Sequence, residues 1–144
     1  MLENLSPARV FRFFEELSAI PRGSGNTDAV SDYCVRFAKK RSLDCVKDQL
    51  NNVIIRKPAS KGYEGHGGVI LQGHLDMVCE KTADSGHDFT RDGLKLRVDG
   101  DLLSAEGTTL GADDGIAVAM ALAVLDDDAL AHPPIEAVFT VDEE

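Results

Sequence analysis

The sequence predicts an α/β protein, layered α/β/α around a mixed sheet. Two amphipathic stretches at helical spacing open the chain, compact runs rich in β-branched residues follow, and a small-residue apolar helix separates the last two strand candidates. The resulting order is helix, helix, three strands, a hairpin, helix, strand, which suits helices packed on a sheet of mixed direction.

Each element has its own local reason. Ser6-Pro7 reads as N-cap and first position of a helix, and Val10, Phe13, Phe14, Leu17 and Ile20 then recur at helical spacing. Pro21-Arg22-Gly23-Ser24-Gly25-Asn26 is a loop, followed by a second helix over 27–40 with Val30, Tyr33, Cys34 and Phe37 as its buried stripe. Strands are predicted at 45–49 and 53–56, joined at Asn51-Asn52 as a hairpin. Residues 58–68, rich in Gly, Pro and Lys, form an exposed loop, and Val69-Ile70-Leu71-Gln72 reads as a buried central strand. Asp99-Gly100, between 94–98 and 102–104, is a type I′ hairpin signal. Residues 116–125 (IAVAMALAVL) are apolar nearly all round, which predicts a buried helix stopped by Pro133-Pro134, and 135–141 reads as the last strand.

Composition narrows the function classes. The chain has 144 residues, 43% hydrophobic and 28% charged, which fits one domain over 1–144 and excludes a disordered tail, a collagen and a disulfide scaffold. No apolar run approaches the ~18 residues of a membrane span, and the N-terminus lacks the basic and apolar regions of a signal peptide. Three separated cysteines (Cys34, Cys45, Cys79) suit reduced thiols in a cytoplasmic protein. The formal charge is −10, and residues 98–144 hold twelve acids and no Lys or Arg, which argues against nucleic-acid binding. Asp126, Asp127 and Asp128 read as a solvated acidic surface. Asp113 and Glu144 lie in apolar or glycine-rich surroundings without a basic neighbour in sequence, so if buried they need a cation.

Three short patterns carry the candidate chemistry. In Gly73-His74-Leu75-Asp76, positions i and i+2 of an extended segment share a face, so Asp76 can hold the ring of a ligating His74. Gly111-Ala112-Asp113-Asp114-Gly115 opens the apolar helix with two carboxylates. Asp142-Glu143-Glu144 follows the last strand, and both glutamates reach one site only where strand alternation breaks. Taken singly these read as a structural histidine, a helix N-cap and a frayed acidic terminus. Together they form a set of imidazole and hard carboxylates suited to Zn²⁺, with Mn²⁺ or Co²⁺ as substitutes. Because open α/β sheets place their chemistry at the carboxyl ends of strands, the chain is expected to be the N-terminal part of a longer catalytic domain.

The strings LQGHLDMVCEK, HDFTRD, EGTTLGADDGIA and TVDEE resemble the aminoacyl-histidine dipeptidases, members of the M20 di-zinc metallopeptidases, over essentially the whole chain. The resemblance implies a zinc-peptidase catalytic domain with a separate lid, and a metallo-dipeptidase acting on Xaa-His dipeptides, with a homodimer possible. It implies that His74 binds one zinc, Asp113 bridges two and Glu144 binds the other. Asp76 would orient His74, and Glu143 would be the general base that activates a zinc-bound water. The family's remaining ligands lie beyond the Glu-Glu pair, so the isolated chain is expected to be inactive. Competing readings are a non-catalytic fragment, a partner-binding domain, or a related M20 tripeptidase or deacylase. His66, His87, His132 and Cys79 receive no role: His66 is expected to be exposed, His132 to sit in a turn and Cys79 to be buried as a small hydrophobe.

Overall fold

The computed structural model describes Leu2 and residues 4–144. Its elements are α1 (Ala8–Ser18), α2 (Asp28–Lys40), β1 (Asp44–Lys47), β2 (Val53–Lys57), β3 (Val69–His74), β4 (Leu96–Asp99), β5 (Leu102–Ala105), α3 (Ala112–Asp126) and β6 (Ile135–Thr140). The predicted order is therefore present. β1, β2, β6 and β3 form one sheet in that order, and β4 with β5 forms a separate ribbon. The sheet is mixed: β6 runs antiparallel to β2 and parallel to β3.

β6 alternates buried and half-buried residues, and Ile135, Ala137 and Phe139 stand in register with Lys57, Ile55 and Val53 on β2. This face meets the helices, whose Phe13, Phe14 and Leu17 (α1), Val30, Cys34 and Phe37 (α2) and Val118, Leu122 and Leu125 (α3) join the same core. Phe13 and Phe37 meet edge to face with centroids 5.4 Å apart, locking α1 to α2. The opposite face carries Ile54, Arg56, Glu136 and Val138, all half-buried or exposed.

Several local expectations change. Val69–His74 is an edge strand, not a buried central one: Ile70 is 64% exposed, and β6 takes the central place because it pairs on both sides. A four-residue apolar run cannot by itself distinguish edge from centre. The α3 helix stops at Asp126, well before Pro133-Pro134, because Asp127 turns extended and the Lys57 ammonium donates to the Leu125 and Asp127 carbonyls, both at 3.0 Å. The prolines lead into β6 instead. The β4–β5 turn is Gly100-Asp101, one residue later than expected, with Gly100 taking the positive φ of 58°. Asp126 is not simply solvated. Its carboxylate accepts from Arg12 at 2.8 Å and from Arg41 Nε at 2.7 Å, and Arg9 lies 3.4 Å away, so it joins all three helices.

Candidate metal centre

Because β3 and β6 are parallel, the segments that follow them leave the sheet at the same end. His74 closes β3 beside Thr140 of β6, and Leu75 N–H donates to the Thr140 carbonyl at 2.8 Å, extending the pairing past the strand. The start of α3 reaches the same place because residue 73 is glycine: a Cβ there would lie 2.9 Å from Asp114 Oδ2 and 3.2 Å from Val118 Cγ2. The helix begins irregularly. Gly111 has φ +62°, and Asp113 and Asp114 depart from helical dihedrals, which turns both carboxylates towards the strand ends. Asp114 Oδ2 accepts from His74 N–H at 3.3 Å.

Asp142 ends the alternation of β6 with a φ of 56°, and its Oδ1 accepts from Gly25 N–H at 2.7 Å. The next two amides then face one acceptor. Glu143 N–H donates to Asp76 Oδ1 at 3.3 Å and Glu144 N–H to Oδ2 at 3.2 Å, while the Ser24 hydroxyl donates to Oδ2 at 2.7 Å. Asp76 is fully buried. Burial alone would raise its pKa, but the bonds from Ser24, Glu143 and Glu144 outweigh it and hold the carboxyl below its ordinary range.

His74 is 6% exposed, and its Nδ1 sits 3.1 Å from the Asp76 carbonyl oxygen and 3.4 Å from Asp76 Oδ1. A carbonyl can only accept, so Nδ1 carries the proton and Nε2 faces outward. Nε2 lies 3.1 Å from Asp113 Oδ1 and 3.8 Å from Glu143 Oε2. Burial lowers the His74 pKa, yet the Asp113 contact, the Asp76 carbonyl and the charges of Asp76 and Asp114 together raise it.

One ligand atom each from His74, Asp113 and Glu144 lies within 4.8 Å of the other two, the one such group of metal-capable side chains among the described residues. Asp113 and Glu144 are not buried: the Asp113 side chain is 88% exposed. Burial therefore does not create the demand for a cation. Convergence does, because an imidazole nitrogen and two carboxylates face one another and need a proton or metal between them. An imidazole and two carboxylates are a zinc-type donor set, so the residues present fit the ion.

Two residues of the Pro21–Gly25 loop complete the arrangement, and the sequence reading assigned them no task. Ser24 holds Asp76. Arg22, only 2% exposed, donates through Nη1 to the Leu75 and Asp76 carbonyls at 2.9 and 3.3 Å and through Nη2 to the Gly111 carbonyl at 2.5 Å. Burial pushes its pKa down to about 10 against the pull of Asp76 and Asp114, which leaves it charged at neutral pH. The available signal was an arginine inside a glycine-rich loop, a residue type seldom buried without partners. Outside this group, His66 is exposed, His132 is buried with Nδ1 2.8 Å from the Pro133 carbonyl oxygen, and His87 packs edge-on against Phe89. Cys79 is exposed rather than buried, its thiol 3.6 Å from the Met77 carbonyl.

No family model matches the chain. Over 99% of its length the chain is 43% identical to the cytosol non-specific dipeptidase of Escherichia coli (strain K12), and it spans 30% of that protein. Its fold matches the crystal structure of aminoacylhistidine dipeptidase from Vibrio alginolyticus with a TM-score of 0.97 and 44% identity, covering all of this chain and 29% of that one. A tripeptidase from Staphylococcus aureus shares the fold at a TM-score of 0.73 and 23% identity, over 94% of this chain and 36% of its own. The chain thus spans about 30% of the length of the dipeptidases it matches. No described helix is long and apolar enough to cross a membrane.

Proposed function

We propose that this chain, similar along its whole length to part of two dipeptidases, supplies metal ligands and a proton carrier to an M20-type metallo-dipeptidase of the cytoplasm. Its substrates would be dipeptides of the Xaa-His type. The observation that carries the reading is the approach of His74, Asp113 and Glu144 donor atoms to within 4.8 Å of one another at the shared ends of β3, β6 and α3. His74, through Nε2, and the two carboxylates would hold zinc. When bound, the ion would lower the pKa of water and polarise a peptide carbonyl.

The chain's own residues prepare that chemistry. Asp76 keeps the proton on His74 Nδ1 and, through the Glu143 and Glu144 amides, sets where both glutamates start. Glu143 is the base: its Oε2 lies 3.8 Å from His74 Nε2, beside the donor cluster, and its side chain is 61% exposed. There it can take a proton from water and return it to the leaving amine. Asp114 is turned away from this task by its bond to His74 N–H.

The test uses a polypeptide of the relatives' length that carries this segment. Glu143→Gln is expected to retain zinc while turnover of an Xaa-His dipeptide falls at least a hundredfold. Asp113→Ala is expected to lose bound zinc. Undiminished turnover in Glu143→Gln would remove Glu143 from the base role, and unchanged zinc content in Asp113→Ala would remove Asp113 from the ligand set.

A further inference from the structure

The proposed ligands sit on three separate segments, and β3–β6 pairing fixes only two of them. The segment before α3 must be held to the end of β3 by something else. One tie is Asp114 on His74 N–H. Further from the site, Thr109 pairs with the Val78 and Glu80 carbonyls; next to the ligands themselves the tie is the Arg22 guanidinium, which takes the Leu75 and Asp76 carbonyls with one nitrogen and the Gly111 carbonyl with another. We infer that Arg22 is a positioning residue for the metal centre, a buried fork that sets the spacing between His74 and Asp113 by fixing the carbonyls next to each. This rests on the proposed ligand set.

Two further observations support the assignment. The Arg22 backbone is anchored: Met77 N–H donates to its carbonyl at 3.1 Å, and Gly23 bridges Met77 in parallel. The facing backbone is shaped around the guanidinium, because a Cβ at Gly111 or at Gly115 would come within 2.6 Å of Arg22 Nη2. Two glycines in the same short run therefore leave room for one side chain. A lysine would keep the charge but not the planar fork that reaches three carbonyls at once.

The experiment, on a polypeptide of the relatives' length that carries this segment, compares zinc affinity, read by competition with a chromogenic chelator, with melting temperature in excess EDTA. Arg22→Lys and Gly115→Ala, the latter displacing the fork without removing it, are each expected to weaken zinc binding at least tenfold in protein that is destabilised but still melts cooperatively when apo. By reciprocity of coupled equilibria, zinc added to the unmodified protein is expected to slow hydrogen exchange of the Arg22 guanidinium protons. Zinc affinity within twofold of the unmodified protein in a folded variant, or guanidinium exchange indifferent to zinc, overturns the assignment while leaving the ligand set standing. Absence of zinc binding by the unmodified protein overturns the ligand set, and this inference with it.

Discussion

Replacing Asp76 by asparagine changes one oxygen to an amide nitrogen at the centre of the site, and its cost can be worked from the contacts. Oδ1 serves the Glu143 amide, and Oδ2 serves the Glu144 amide and the Ser24 hydroxyl. The serine hydroxyl can reverse and accept; a backbone N–H cannot. Whichever way the new amide is turned, one of the two glutamate N–H groups faces an NH₂. A buried donor left unpaired costs about 1–3 kcal/mol, and the 3.2 and 3.3 Å lengths of these bonds place the loss near the lower half, about 1–2 kcal/mol. His74 also loses the carboxylate near Nδ1, a partner whose removal typically costs 10–100-fold in metal affinity. Asp76→Asn is therefore expected to lower stability modestly in EDTA and to weaken zinc binding at least tenfold, measured by urea denaturation and chelator competition. Zinc affinity unchanged beside a lowered apo stability would refute the reasoning, reducing Asp76 to a fold-holding group.

Asp126, held below its ordinary pKa because bonds from Arg41 and Arg12 outweigh burial, contributes stability present above the unfolded value near 4 and lost as pH falls through the lower folded value. Asp126→Asn is expected to cost about 1–2 kcal/mol at pH 7, discounted for partial exposure, and the gap should narrow as pH falls below the ordinary carboxylate range; denaturation curves equally separated in neutral and in strongly acidic buffer would contradict this. Lys57→Met strips the Leu125 and Asp127 carbonyls of their donor at the end of α3 and is expected to cost about 1–3 kcal/mol in urea denaturation, with an unchanged midpoint as the contrary result. Gly73→Ala places a methyl against Asp114 and Val118 and is expected to destabilise by about 1–3 kcal/mol, which thermal melting would register.

Element order and type were legible because each element has a local cause. The Phe13–Leu17 stripe, the Asn51 turn and the apolar helix over 116–125 all fall where their spacing puts them. Strand position in the sheet was not legible, since the edge place of Val69–His74 depends on which strands β6 pairs with. At the site, the convergence of the segments bearing His74, Asp113 and Glu144 could be anticipated because each adjoins an apolar element, while the choice of these three as ligands came from the family resemblance. Their exposure could not, because sequence alone does not say which face of a strand end meets solvent. Long-range partners were least visible: Asp126 finds Arg12 and Arg41, 114 and 85 residues away. Arg22 likewise reaches Gly111 across 89 residues, so an arginine in a glycine-rich loop gave no local sign of what it would bridge.

The most direct measurement is anomalous diffraction at the zinc edge from crystals of this protein grown with zinc. The account predicts zinc at about 2.0–2.2 Å from His74 Nε2 and an Asp113 carboxylate oxygen, and a second zinc at the same distance from Glu144 and the other side of the Asp113 carboxylate. A zinc peak elsewhere on the molecule, with His74 Nε2 free of metal, would contradict it.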